Sequence, residues 1–123
     1  MPDSKKQKLM KLLAELKSAG DVQGAAVVTR DGLLIAADLE QGINAETFSA
    51  MAATMTGAAE TAVSELKKGL VERVIAEAKN GKLISVGAGA SVVLVTLVGP
   101  RANIGLVLVE MGKAAKAIEK EMG

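Results

Sequence analysis

Helical and strand-like spacings of apolar residues alternate along this chain. Residues 4–18 carry Leu9, Leu12, Leu13 and Leu16 on one stripe of an otherwise lysine-rich segment, which predicts a helix. Ser4 suits its N-cap and Gly20 its stop. Two apolar runs, 25–29 and 33–37, flank Asp31-Gly32. Both residues of that pair tolerate positive φ, so the pattern predicts a β-hairpin. After the polar loop DLEQGIN, with Asn44 as a second N-cap, helical spacing returns from about residue 45 to 68, ended by Gly69. Stepping 100° per residue puts Phe48, Met51, Met55, Ala59, Ala62 and Leu66 on one line, expected to pack on a sheet.

That middle helix has an unusual surface. Its flank carries Ala50, Ala53, Thr54, Gly57, Thr61 and Ser64, and between Phe48 and Leu66 the charged residues are Glu60 and Glu65. Gly57 costs about 1 kcal/mol relative to Ala in a helix interior, a cost more easily understood if another backbone approaches there. Residues 70–78, LVERVIAEA, then read as a strand. Glu72, Arg73 and Glu77 suit an edge guarded against promiscuous pairing. Asn80-Gly81 predicts a second hairpin. Residues 83–88 and 91–98 are apolar almost throughout and predict central strands covered on both faces.

The last stretch, NIGLVLVEMGKAAKAIEKEM, mixes β-branched residues with a helical stripe of Ile104, Val107, Leu108, Met111, Ala115, Ile118 and Met122. One long helix is expected, with Pro100 near its opening and Gly105 and Gly112 as close-contact points against the sheet. The order is α-β-β-α-β-β-β-α: an α/β sandwich of five mostly antiparallel strands with helices on both faces.

Composition narrows the chemistry. The 123 residues fit one domain. Half of them are hydrophobic, yet there is one Phe and neither Trp nor Tyr, so the core must be aliphatic and stacking on single-stranded nucleic acid loses its usual anchors. Fifteen basic and 14 acidic residues give no whole-chain field for a polyanion. With no Cys and no His, thiol chemistry and the commonest general base and metal ligand are excluded. The acidic residues are scattered. Asp38 and Glu40, the nearest pair, read as solvated loop charges. Met51 and Met55 read as core, and Arg30, Arg73 and Arg101 as solvated arginines. VGAGASV has Val92 where a dinucleotide fingerprint needs its third glycine, and a strand follows. A hairpin turn at Gly87 and Gly89 is the better reading. No catalytic, cofactor or metal site is expected. No apolar run follows MPDSKKQKLM and none has membrane-spanning length, so a cytoplasmic protein is the default. The lysine face of the first helix reads as solvated, with contact to an anionic surface as the lesser alternative.

Taken together, GAAVVTRDGLLIAA, the small-residue helix after it, GLVERVIAEAKNGKLISV, SVVLVTLVG and NIGLVLVEMGKAAKAI resemble the roadblock/dynein light chain family. The resemblance spans nearly the whole chain, as one domain of residues 1–123. The Arg-Asp-Gly hairpin and the opening of the last helix are its most characteristic parts. Gly112 departs from it, standing where a basic residue is more usual.

The resemblance implies a roadblock/profilin-like fold and a homodimer in which the middle helix lies beside its twin and the following strand pairs with its twin's. On that pattern Ala50, Ala53, Thr54, Gly57, Thr61 and Ser64 are covered by the partner helix or line a shared platform, and Leu70, Glu72, Val74 and Ala76 join the interface. It also implies a non-enzymatic regulator or scaffold of a Ras-like small GTPase, a GTPase-activating role included, with no cofactor, no nucleic acid and no membrane insertion. The rival reading is a ligand-sensing or structural adaptor module of the same fold.

Overall fold

The computed structural model describes residues 4–123; the first three residues, which carry part of the reading of the amino terminus, lie outside it. The elements are α1 (Lys5–Lys17), β1 (Val22–Thr29), β2 (Leu34–Asp38), α2 (Ala45–Glu65), β3 (Val74–Ala78), β4 (Gly81–Gly87), β5 (Val92–Val98) and α3 (Ile104–Met122). This is the expected order. The strands form one antiparallel sheet, β2-β1-β5-β4-β3, with β2 and β3 as its edges.

The helices start where side chains satisfy their unpaired N–H groups. Ser4 Oγ accepts from Gln7 N at 3.1 Å while Ser4 N donates to Gln7 Oε1 at 2.8 Å, a reciprocal cap. Asn44 and Asn103 accept from the amides of Thr47 and Leu106 at 3.0 and 3.1 Å. Asn103 thus opens α3, and Pro100 lies in the turn before it. An asparagine side chain satisfies a first-turn donor there, which proline cannot do.

Each face of the sheet has its own core. On one, Leu9, Leu13 and Leu16 of α1 and Val107, Met111 and Ile118 of α3 meet Val27, Ile84, Leu94 and Val98. The expected stripe of α3 points inward, with Ile104, Leu108 and Met122 at its margin. On the other face, Ala52 and Ala53 of α2 meet Ala26, Val28, Val93 and Val95. β5 is the central strand, buried at every position but Leu97. β4 is less covered than its apolar run suggests, with Ile84 and Ser85 buried, because it lies next to the edge.

Both hairpins form, but each uses its glycine differently than expected. In the first, Gly32 N donates to Thr29 O at 2.9 Å and Thr29 N to Leu33 O at 2.8 Å. The central pair is therefore Arg30-Asp31. Of Asp31 and Gly32, the glycine alone takes a positive φ, +94°. The extra residue shows as a register shift after Val27, the pattern of a turn closed by a glycine bulge. In the second hairpin Ala78 pairs with Gly81, so Lys79-Asn80 makes the turn. Gly81 is there for space: a Cβ would stand 2.6 Å from the Val98 carbonyl oxygen.

Gly105 and Gly112 are not close-contact points. A Cβ on Gly112 would meet nothing within 4 Å, and one on Gly105 only Asn103 Oδ1 at 3.5 Å. The buried line of α3 runs through Val107, Met111, Ala114 and Ile118, which turns both glycines to the far side.

Two substitutions test this packing. Thr96, fully buried on β5, is the one described residue with a buried side-chain polar atom, Oγ1, that lacks a hydrogen-bond partner. Thr96→Val removes that hydroxyl at nearly constant volume and is expected to stabilise by about 1 kcal/mol, read as a higher urea midpoint at unchanged m-value. Gly81→Ala forces a methyl group against backbone and is expected to cost about 1–3 kcal/mol; an unchanged midpoint would show that the Val98 contact does not constrain that position.

Candidate functional site

What α2 offers to other molecules depends on which of its sides meets the sheet. The buried residues are Ser49, Ala52, Ala53 and Thr56. The expected line through Phe48, Met51, Met55, Ala59, Ala62 and Leu66 is rotated from this by roughly 100°, one residue step. Phe48 reaches the core margin, but Met51 is 58% exposed and Leu66 65%, so Met51 is surface rather than core. The rotation has a physical cause: half of the buried line is hydroxyl-bearing. Ser49 Oγ donates to Ala45 O at 2.6 Å and Thr56 Oγ1 to Ala52 O at 2.8 Å. Each hydroxyl has one hydrogen, so Ser85 Oγ is the donor in its 2.8 Å contact with Thr56 Oγ1. With their bonding satisfied, these side chains bury as readily as alanine.

This seat turns two flanks outward. The flank of Ala50, Thr54, Gly57, Thr61 and Ser64 faces the β1–β2 turn. There Arg30 Nη1 donates to Glu60 Oε1 at 2.6 Å, and Arg30 Nη2 donates to the Gly89 carbonyl at 3.3 Å. A Cβ on Gly87 would come within 2.9 Å of the same Nη2. Arg30 therefore joins the first turn, α2 and the β4–β5 turn, and is not the solvated arginine expected from its place beside a turn. Between that turn and the helix lies an open depression of about 650 Å³, lined by Arg30, Asp31 and, from α2, Ala50, Ala53, Thr54, Gly57 and Thr61 among others. Ala53 is its floor, 6% exposed. Nothing in the chain comes within 4 Å of a Cβ placed on Gly57. Ser64 continues the flank toward the end of the helix.

The other flank, Met55 and Ala59, lies toward β4 and β3, as the reach of Thr56 to Ser85 on β4 requires. Beyond it runs β3, exposed except at Val74, which is half-buried. The expected strand over 70–78 begins only at Val74, and α2 ends at Glu65 rather than near residue 68. Lys67 and Gly69 take φ values of +55° and +94°; these bends end the helix, and the chain up to residue 73 crosses from helix to sheet edge. Leu70, 96% exposed, and Glu72, which approaches Arg73 at 3.8 Å, lie in that crossing. Ala76 is exposed on the edge strand itself.

The residues singled out in the sequence thus fall into two groups on opposite flanks of α2, a groove beside Arg30 and a segment leading into the β3 edge. Met51, Leu66, Ile75 and the Arg30–Glu60 pair are additional surface features. The pair joins positions 30 residues apart, and no local pattern reports such a contact. Asp38, read as a loop charge, ends β2 and accepts from Lys17 Nζ at 3.0 Å. No helix among the described residues is long and apolar enough to cross a membrane.

Comparison with known proteins places this architecture. Two uncharacterized proteins of Methanocaldococcus jannaschii are 37% and 38% identical over 109 residues, 89% of this chain and 95% and 92% of their own lengths. The gliding protein MglB of Thermus thermophilus superposes with a TM-score of 0.86 at 16% identity, covering 98% of this chain and 93% of that one. A Roadblock/LC7 domain from Streptomyces avermitilis gives 0.85 at 21% identity over 91% and 95%. Profilin IB of Acanthamoeba castellanii gives 0.66 at 15% identity over 98% and 100%. At these identities the solved structures speak to the fold alone. The family model for the Roadblock/LC7 domain matches residues 8–98, and the chain belongs to that family.

Proposed function

We propose that this chain is a non-enzymatic, homodimeric regulator or scaffold of a Ras-like small GTPase, working in the cytoplasm. The observation that carries the reading is the pairing of an uncovered apolar flank on α2 with an uncovered edge strand. Met51 and Leu66 toward the two ends of α2 and Leu70 in the crossing to β3 are exposed, and Ile75 of β3 is part-exposed on the opposite sheet face, since it pairs with Ile84 of the α1/α3 core. Exposed apolar residues beside a row of unpaired backbone groups suit a second copy of the same surface better than water. In the proposed dimer, β3 pairs antiparallel with its twin and the Met51–Leu66 flank packs on the partner's α2. Leu70, Glu72, Val74 and Ala76 lie in that contact. Family membership supports self-association and a GTPase partner, and MglB has itself been solved in a tetrameric arrangement.

The groove flank has the other role. Ala50, Ala53, Thr54, Gly57, Thr61 and Ser64 form a low surface beside Arg30 and Asp31 in each copy, and two copies make a platform across the two-fold axis. Small side chains let a partner's backbone come close, which gives Gly57 its use. A GTPase seated on the axis excludes a second one, so one GTPase per dimer is expected. Ordering the switch loops of the bound GTPase is how such a surface would accelerate hydrolysis without supplying a catalytic group. The groove is wide and open, whereas sites for small molecules enclose most of their ligand, so a protein surface is the better occupant.

Two predictions follow from the division of labour between the flanks. Light scattering should give twice the 12.5 kDa chain mass. Met51→Glu, at an exposed position, should weaken association by about 2–5 kcal/mol by burying an unpaired charge; a wild-type protein of monomer mass would sink the dimer. Calorimetry with a Ras-like GTPase from the source cell, loaded with a non-hydrolysable GTP analogue, should show tighter binding than with GDP. Gly57→Glu should lower that affinity at least about tenfold while leaving the dimer mass unchanged. Equal affinity for both nucleotide states would leave a scaffold and remove the switch-reading role. Faster single-turnover hydrolysis in the presence of the dimer would establish activation.

A further inference from the structure

The two faces of the sheet differ in charge as well as in packing. α1 and α3 together carry eight lysines and four glutamates, a net charge of +4. The rest of the chain holds seven basic and ten acidic residues, a net −3. A near-neutral total therefore conceals a basic layer on the side of the sheet opposite α2.

The outward side of α3 is opposite its buried line of Val107, Met111, Ala114 and Ile118. It presents Leu106, Val109, Lys113, Lys116 and Lys120, all exposed. Leu106 and Val109 are 45% and 55% exposed. Three of the layer's four glutamates are set differently: Glu121 meets Lys8 of α1 at 3.7 Å, Glu110 meets Lys113 at 3.5 Å, and Glu119 lies against Gly89 in the β4–β5 turn, while Glu15 is exposed on α1. Lysines thus dominate the outermost line, with two aliphatic residues beside them.

We propose that the α1/α3 layer docks on an anionic lipid bilayer, its lysines among the headgroups and Leu106 and Val109 at the interfacial boundary, without insertion. The inference rests on the dimer proposed above. Antiparallel pairing of two identical strands sets the two-fold axis perpendicular to the sheet. Both α1/α3 layers then face one way and both α2 helices the other. The doubled layer is broad, basic and interspersed with apolar groups, the chemistry that peripheral binding to anionic membranes uses. A nucleic acid would satisfy the lysines but has no use for the exposed Leu106 and Val109. The arrangement would hold the α2 platform away from the membrane, open to its partner.

Co-sedimentation of the full chain with vesicles tests this, using phosphatidylcholine alone and phosphatidylcholine mixed equally with phosphatidylglycerol. The expected result is binding to the anionic vesicles only, weakening as salt rises, and reduced at least about tenfold in Lys113→Glu/Lys116→Glu/Lys120→Glu. These positions are exposed, so unchanged circular dichroism and mass should accompany the loss. No binding to anionic vesicles, equal binding to neutral ones, or a lysine variant that binds like the wild type would overturn the proposal. So would binding to a duplex oligonucleotide with none to vesicles. Met51→Glu separates this reading from the one beneath it. If the dimer holds, that variant binds vesicles more weakly, because avidity is lost. If wild type and Met51→Glu are both monomers that bind alike, the dimer fails and the lipid face of the single chain stands.

Discussion

Ala52 and Ala53 lie against Ala26, Val28, Val93 and Val95, and beside them the Thr56 hydroxyl meets that of Ser85 at 2.8 Å. The organisation of this molecule's surface depends on that contact. It is made of small side chains, so apolar packing alone specifies the rotation of α2 weakly. The hydroxyl pair specifies it more sharply. Rotating the helix by one residue would bury Met55 or Gly57 in place of Thr56 and leave the Ser85 hydroxyl without its partner. A buried polar group left unpaired costs about 1–3 kcal/mol, enough to select one seat over its neighbours. From that seat follow the groove beside Arg30, the apolar flank toward β3 and the exposure of Met51 and Leu66.

The opposite face makes this arrangement affordable. The large aliphatic side chains are concentrated between α1, α3 and the sheet, where Leu9, Leu13, Leu94, Met111 and Ile118 are fully buried. Burial of each contributes about 1.5–3 kcal/mol, so that layer carries most of the hydrophobic stabilisation. The α2 layer can then leave Met51 and Leu66 exposed. Arg30 adds a tie rather than much stability, since an ion pair this exposed is worth about 1 kcal/mol or less. Its effect is to hold the β1–β2 turn against the helix and so give the groove a fixed wall.

The edge strands complete the division. β2 ends at Asp38, paired with Lys17, and lies beside packed helices. β3 is nearly uncovered and adjoins exposed apolar residues. A sheet with one such edge, one small-residue helical platform and one basic helical layer has three distinct surfaces.

The sequence was sufficient for the order of elements, the caps at Ser4 and Asn44, both hairpins, the edge character of β3 and the inward stripe of α3. These follow from local chemistry: a 3.6-residue or two-residue period of apolar positions, an oxygen placed to accept a first-turn amide, and a glycine where the chain must reverse. The under-charged flank of α2 was legible for the same reason. Tertiary structure decided the rest. It chose hydroxyls over methionines for the buried side of α2, because a serine or threonine is apolar in effect only once a carbonyl or another hydroxyl satisfies it. It joined Arg30 to Glu60, put Gly81 beneath the Val98 carbonyl, delayed β3 to Val74, and separated the groove from the edge strand. Each of these depends on which distant groups meet in space, and the spacing of residues along one chain carries no record of that.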